Sequence, residues 1–270
     1  MDYLQYLRLD KMPHIWCDGC GHGIVLKSIL RSIDKLEWDK NDIAMVSGIG
    51  CSSRTPGYVD FNTLHTTHGR ALAFATGLKI ASPRLHVIVV SGDGDATAIG
   101  GNHFIHAARR NIDITMIIYN NYIYGMTGGQ VSPTTPSRKK ASTAPYGNPD
   151  EPFDISRLAQ AAGAAYVARS TVYHVGRTDK YIEQALLKPG FSVVEVLTPC
   201  PTSYGRRNKE GTAVDMMMAQ KANSVGLERI KNMSDEELEG KIILGVFVDK
   251  DQKSYLTRYN EVVEQARNMK

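Results

Sequence analysis

Residues 85–121 read LHVIVVSGDGDATAIGGNHFIHAARRNIDITMIIYNN, and this stretch decides the fold class. Two apolar runs, LHVIVVSG at 85–92 and IDITMIIY at 112–119, flank a helix-like segment at 100–110. Strands with so few polar residues are typical of parallel sheets that are covered on both faces. The stretch therefore predicts a β-α-β crossover within a parallel α/β sheet.

The same alternation continues on both sides of this stretch. Helical spacing or composition predicts helices at 22–36, 69–81, 154–162 and 175–187, and apolar runs predict strands at 43–50, 164–168 and 191–197. Right-handed crossovers then give an α/β fold with an open, mostly parallel sheet and helices on both faces. We expect this domain over residues 1–205. The more charged segment 206–270 is expected to be an extension that packs on the domain or on a partner subunit.

Composition narrows the class of protein. The chain has 270 residues, of which 42% are hydrophobic and 22% are charged, as in ordinary globular proteins. Its formal net charge is +4 without a dense basic tract, so nucleic acid is not the expected partner. No apolar run approaches the roughly 18 residues that a membrane span needs, and the N-terminus does not resemble a signal peptide. We expect a cytoplasmic protein without a membrane partner.

Two polar motifs follow neighbouring strands. Gly92-Asp93-Gly94-Asp95 ends the first strand, and Asn120-Asn121 ends the next. Parallel strands joined by a crossover end at the same edge of a sheet, so the two motifs meet there. Asp93 and Asn121 offer the oxygen ligands that Mg²⁺ prefers, and the glycines let a phosphate approach the backbone. The pair predicts a magnesium diphosphate site, whereas a GDG motif alone would more often be a tight turn.

The four cysteines are Cys17, Cys20, Cys51 and Cys200. One close C-x-x-C pair in a reducing compartment points to metal or redox chemistry rather than to disulfides. Buried thiols that pack as small hydrophobic groups are the alternative.

The glycine- and proline-rich segment 122–150 predicts a long binding loop. Basic clusters at 138–140 and 206–209 are expected to be solvated, or else to steer an acidic partner protein or the phosphates of a ligand. Of the other histidines, His103 and His106 are expected to pack or to support residues of the site, with metal binding as the lesser alternative, and His65 is a weak candidate for the site.

Several strings together resemble a known family. They are WCDGCGHG (16–23), SGIGCSS (47–53), HGRA (68–71), the GDGD segment (92–111) and NNYIYGMTGGQVSPTTP (120–136). They resemble the thiamine diphosphate-binding beta subunit of 2-oxoacid:ferredoxin oxidoreductases over about residues 10–205. GMTGGQ-x-SPTTP is most similar to the 2-oxoglutarate branch, with Met126 and Gly128 as candidate specificity residues. Pyruvate and branched-chain 2-oxoacid enzymes are the alternatives.

The resemblance implies the cofactors and their ligands. Thiamine diphosphate would be held through Mg²⁺ by Asp93, Asn121 and the carbonyl of Ile123. The four cysteines would hold one [4Fe-4S] cluster, with zinc as the alternative. The remaining cofactor contacts would be Ile49, Gly50, Cys51, Ser52, His68, Gly92, Gly94, Asp95, Gly125, Met126 and Thr127. His68 is a candidate catalytic residue, and capping of the following helix is its alternative role.

The implied reaction converts 2-oxoglutarate, coenzyme A and oxidised ferredoxin to succinyl-CoA, carbon dioxide and reduced ferredoxin, reversibly. The glutamate that activates thiamine, the pyrimidine-binding domain and the substrate domain would belong to an alpha subunit, and small gamma or delta subunits are an open addition. A non-oxidative thiamine enzyme fragment and a non-catalytic zinc or iron-sulfur scaffold protein are the hypotheses from other classes.

Overall fold

A computed structural model describes residues 2–269, and its centre is one eight-stranded sheet. The strand order is β2-β1-β3-β4-β8-β7-β10-β9, and the six strands from β2 to β7 in that order run parallel. Strands β5 and β6 form a separate two-stranded hairpin. The strands are β1 Ile43–Ser47, β2 Asn62–His65, β3 His86–Gly92, β4 Ile114–Asn120, β5 Ile123–Tyr124, β6 Gln130–Val131, β7 Tyr166–Thr171, β8 Phe191–Leu197, β9 Ser224–Gly226 and β10 Ile242–Asp249.

Helices cover both faces of the sheet. They are α1 His22–Lys35, α2 Thr55–Tyr58, α3 Ala71–Ala81, α4 Asp93–Thr97, α5 Gly101–Arg110, α6 Ile155–Ala161, α7 Val175–Leu187, α8 Arg206–Asn208, α9 Ala213–Asn223, α10 Asp235–Leu238 and α11 Tyr255–Asn268.

Two apolar layers hold these helices against the sheet. Met45 of β1 packs in the layer under α1 and α7, and its neighbour Val46 packs in the layer under α3, α5 and α6. Successive strand residues point to opposite faces, so the continuous apolar runs supply both layers at once. The predicted open, mostly parallel sheet with helices on both faces is confirmed.

The structure adds strands to those that the sequence predicted. β2 lies at one edge and is largely exposed, so it lacks the apolar signal of the central strands. At the other side β10, from the C-terminal extension, pairs antiparallel with β7. The extension therefore enlarges the sheet as well as packing on it, while a domain boundary at residue 205 stays a prediction. Within residues 2–269, none of the helices has the length and apolarity to cross a membrane.

Candidate active site

A cavity of about 230 Å³ opens at the carboxyl edge of the sheet and is called the edge cavity below. Three residues that sequence reasoning did not single out line it, namely His22, Tyr119 and Tyr124. All fourteen predicted cofactor contacts also line it: Ile49, Gly50, Cys51, Ser52, His68, Gly92, Asp93, Gly94, Asp95, Asn121, Ile123, Gly125, Met126 and Thr127. The fold thus brings the predicted residues to one place.

Asp93 is the first residue of α4, directly after β3, and only 2% of it is exposed. Its Oδ2 accepts hydrogen bonds from the hydroxyls of Ser132 (2.5 Å) and Thr134 (2.6 Å). Burial raises the pKa of the carboxyl, and these two hydroxyls oppose that rise. Because Oδ2 is engaged by the loop after β6, Oδ1 is the oxygen that faces Asn121.

Three polar groups converge here, namely Asp93 Oδ1, the Asn121 side-chain amide and the Ile123 carbonyl. One end of the Asn121 side-chain amide lies 3.2 Å from Asp93 Oδ1 and 2.7 Å from the backbone oxygen of Ile123. With the amide nitrogen at this end, Asn121 donates to both neighbours; with Oδ1 there, three oxygens face one another and a cation is needed between them. Oxygens about 2.1 Å from an octahedral Mg²⁺ are about 3 Å apart. The donor set and its spacing therefore fit magnesium.

The Asp95 carboxylate accepts hydrogen bonds from three segments that surround the edge cavity. Its Oδ1 accepts from His68 Nδ1 (2.7 Å), the Gly69 amide (2.7 Å) and the Ile49 amide (3.2 Å). Its Oδ2 accepts from the hydroxyl of Ser91 at 2.6 Å. Since both oxygens are engaged by protein groups, Asp95 shapes the wall of the cavity rather than offering a free ligand.

The hairpin after β4 forms the mouth of the edge cavity. Met126 is 40% exposed there, and the Thr127 hydroxyl donates to Gln130 Oε1 at 2.6 Å. Behind it, the Tyr124 ring lies against Gly94, where a Cβ would come within 2.2 Å of the ring. Gly94 is therefore required for the hairpin to close over α4.

The four cysteines line a second cavity of about 250 Å³, called the cysteine cavity. All four are free thiols; Cys20 and Cys200 are buried, and Cys17 is exposed. The Trp16 indole donates to the backbone oxygen of Cys51 at 2.7 Å, which holds the cysteine of the SGIGCSS turn beside the N-terminal C-x-x-C. Five residues line both cavities, so the two are adjacent: His22, Cys51, Asn121, Gly125 and Met126.

The spacing of the thiols indicates the size of the group that fits them. Within residues 2–269, no three His, Cys, Asp or Glu side chains are grouped tightly enough to hold a single metal ion. A Cβ on Gly125 would lie 3.4 Å from Cys200 Sγ and 3.7 Å from Cys51 Sγ, so the glycine leaves room between them. Burial raises the pKa of Cys20 and Cys51 to about 11, and the neighbouring thiols add to the rise. Four thiols around a wide cavity fit a cluster, in which each thiolate binds a different iron, better than tetrahedral zinc.

Other residues considered in the sequence lie elsewhere. His65 bonds to the Ser47 hydroxyl at 2.9 Å, and His103 and His106 are half-buried on α5. The two basic clusters are neighbours: the Lys140 amide donates to Asn208 Oδ1 at 2.8 Å. Lys139 also pairs with Glu210 at 2.6 Å. Missed residues of the site include Ser132 and Thr134, for which the string SPTTP is the only sequence signal.

Comparison with known proteins gives consistent results. The family model described as thiamine pyrophosphate enzyme, C-terminal TPP binding domain, matches residues 48–196. The chain is 52% identical over 265 residues to the 2-oxoglutarate synthase subunit KorB of Methanocaldococcus jannaschii, covering 98% of both chains. It is 43% identical over 187 residues to the 2-oxoacid:ferredoxin oxidoreductase 2, subunit beta, of Aeropyrum pernix, covering 69% of this chain and 60% of that protein.

A solved structure agrees over nearly the whole chain. It is a 2-oxoglutarate:ferredoxin oxidoreductase from Magnetococcus marinus with 2-oxoglutarate, coenzyme A and succinyl-CoA bound. The TM-score is 0.88 at 33% identity, over 98% of this chain and 91% of that one. The resemblance inferred from the motifs is confirmed. The chain belongs to the family of 2-oxoglutarate synthase KorB subunits and contains the C-terminal thiamine pyrophosphate-binding domain of thiamine pyrophosphate enzymes.

Proposed function

We propose that this chain is the beta subunit of a 2-oxoglutarate:ferredoxin oxidoreductase that holds thiamine diphosphate through Mg²⁺ and a [4Fe-4S] cluster through its cysteines. The reaction converts 2-oxoglutarate, coenzyme A and oxidised ferredoxin to succinyl-CoA, carbon dioxide and reduced ferredoxin. The observation that carries the proposal is the convergence of Asp93 Oδ1, the Asn121 amide and the Ile123 carbonyl at the edge of a thiamine pyrophosphate-binding domain.

The residues of the edge cavity have two proposed roles, which are to bind the cofactor and to orient the loops around it. Asp93, Asn121 and the Ile123 carbonyl would hold the magnesium ion, and the backbone amides at the start of α4 would donate to the diphosphate. Thiamine diphosphate, when bound, supplies the carbon nucleophile for decarboxylation of a 2-oxoacid. Asp95 orients the loops that carry Ile49 and His68 around it.

The cysteine cavity has the electron-accepting role in this proposal. Cys17, Cys20, Cys51 and Cys200 hold the cluster, since thiolates are the ligands that iron-sulfur clusters select. Cys51 and Gly125 line both cavities, so the two proposed cofactors would occupy adjacent sites. Free thiols persist in reducing compartments, and all four cysteines are free. The proposed location is therefore the cytoplasm.

The substrate proposal rests on the relatives. The KorB subunit of M. jannaschii matches 98% of this chain at 52% identity, whereas the less specifically named A. pernix subunit matches 69% of it at 43% identity. The M. marinus enzyme has 2-oxoglutarate and coenzyme A bound. The proposed partners are therefore an alpha subunit, which supplies the activating glutamate, and ferredoxin; pyruvate is the alternative substrate.

The metal-binding part of the proposal is tested by calorimetry on the complex of this chain with its alpha subunit. Asp93→Asn is expected to abolish Mg²⁺-dependent binding of thiamine diphosphate, because it removes the only charged ligand. Asp150→Asn changes an exposed loop carboxylate and is the control. Unchanged, magnesium-dependent binding by Asp93→Asn would refute the assignment.

A further inference from the structure

Asn120, the last residue of β4, lies directly behind Asn121 and is 3% exposed. Its side chain makes hydrogen bonds in two directions, one toward the interior of the sheet and one toward the edge cavity. This arrangement distinguishes the first asparagine of the Asn120-Asn121 pair from the second, which faces Asp93 directly.

On the interior side, Glu195 determines which way the Asn120 amide points. Glu195 is 2% exposed on β8, and its Oε2 accepts from Arg169 Nε and from the Ser156 hydroxyl, both at 2.7 Å. Its Oε1 accepts from Asn120 Nδ2 at 2.8 Å. A carboxylate paired with arginine only accepts hydrogen bonds, so the nitrogen of Asn120 must face Glu195 and its oxygen must face the other way.

On the cavity side, Asn120 Oδ1 holds the turn that carries Ile123. It accepts from the amide of Tyr122 at 3.2 Å. Tyr122 has φ +64°, a left-handed conformation that is costly for a side chain of this size. Thr135 donates to the Tyr122 carbonyl at 2.5 Å, so both backbone groups of the strained residue are held. The next residue is Ile123, whose carbonyl points to Asn121.

A second contact of the same atom leads toward Asp93 through Thr134. Thr134 Oγ1 lies 3.0 Å from Asn120 Oδ1 and 2.6 Å from Asp93 Oδ2, so the two acceptors share its single hydroxyl proton. Asn120 thus contacts the group that positions Asp93 as well as the turn that positions Ile123.

We propose that Asn120, oriented by the buried Glu195–Arg169 ion pair, is a positioning residue that aligns two of the three oxygens of the magnesium site. This proposal rests on the proposed function, because it presupposes metal at Asp93, Asn121 and Ile123. Residues that orient metal ligands typically contribute about 10- to 100-fold in metal affinity without touching the metal.

The test measures Mn²⁺, as a substitute for Mg²⁺, in the complex of this chain with its alpha subunit and thiamine diphosphate. Free Mn²⁺ is quantified by electron paramagnetic resonance, and thermal unfolding is followed in parallel. Asn120→Ala is expected to raise the Mn²⁺ dissociation constant about tenfold or more. Ser156→Ala is the matched control, because it also removes a buried hydrogen bond to Glu195 but leaves Asn120 bonded; its affinity should stay within about twofold of wild type.

A second variant keeps the test decisive if Asn120→Ala does not assemble. In Glu195→Gln the amide oxygen is taken by Arg169, so the new NH₂ group faces Asn120 Nδ2 and the Asn120 amide must rotate away from Tyr122. A several-fold loss of Mn²⁺ affinity supports the proposal. If Asn120→Ala or Glu195→Gln, whichever assembles, binds Mn²⁺ as tightly as Ser156→Ala does, the proposal is overturned. Absence of thiamine-dependent Mn²⁺ binding in the wild type would instead refute the metal site itself.

Discussion

His68 Nδ1 donates a hydrogen bond to Asp95 Oδ1 over 2.7 Å, from the wall of the edge cavity to a carboxylate buried beneath it. The Asp95 side chain is 2% exposed, whereas that of His68 is 36% exposed. Because Nδ1 is the donor, Nε2 of the neutral ring is left as an acceptor. The pair therefore fixes the tautomer and the orientation of the only histidine among the predicted cofactor contacts.

Asp95→Ala is expected to destabilise the complex far more than His68→Gln. The donors of His68, Gly69 and Ile49 would lose their shared acceptor, at a cost of about 3 kcal/mol, whereas His68→Gln removes one donor at a partly exposed site and costs about 1 kcal/mol or less. Thermal unfolding of the complex checks the order. Equal losses of stability in the two variants would show that Asp95 does not organise the site.

Gly94→Ala is expected to prevent closure of the hairpin over α4. The added methyl would lie 2.2 Å from the Tyr124 ring, closer than any real contact. Thiamine diphosphate binding should fall about tenfold or more, a loss of about 1.4 kcal/mol of binding free energy, because the displaced hairpin lines the cofactor cavity. Gly101→Ala is the control, because a Cβ there meets nothing within 4 Å. Normal binding by Gly94→Ala would show that the hairpin does not shape the cofactor site.

Cys200→Ser is expected to deplete the complex of its cluster. We expect about four iron and four sulfide per wild-type chain and a broad absorbance near 400 nm in anaerobic protein, with both strongly reduced in the variant. Ser203 lines the same cavity. Ser203→Ala is the control and should keep the full iron content. One zinc ion and no sulfide in the wild type would contradict the assignment of a cluster.

Neutralising Arg138 and Lys140 together should lower the rate of ferredoxin association several-fold at low salt, with the difference vanishing at high salt. Both side chains are exposed beside the basic residues of 206–209, while Lys139 is paired with Glu210. Stopped-flow reduction of ferredoxin measures this rate. The control replaces Arg110 and Lys250, which are exposed at the amino edge of the sheet. An equal effect there would exclude a specific docking role.

The sequence predicted the meeting of the two motifs because parallel strands impose it. Gly92 of β3 is in register with Tyr119 of β4, so Asp93 and Asn120 emerge at the same level. Both strands are buried and apolar, which makes their ends easy to locate from sequence.

The sequence did not predict the hydrogen bonds behind this edge. Ser132 and Thr134 are about forty positions from Asp93 and lie in a loop without periodicity, so nothing in the sequence identifies their partner. Glu195 interrupts an apolar strand without any sign that Asn120 and Arg169 would surround it. β10 was missed because it is only partly buried and returns antiparallel within a charged extension.

Oxoacid-dependent reduction of a viologen dye tests the central claim most directly. The complex of this chain with its alpha subunit, supplied with thiamine diphosphate, Mg²⁺ and coenzyme A, should reduce the dye with 2-oxoglutarate much faster than with pyruvate, and this chain alone should be inactive. Equal or faster reduction with pyruvate, or turnover by the isolated chain, would contradict the account.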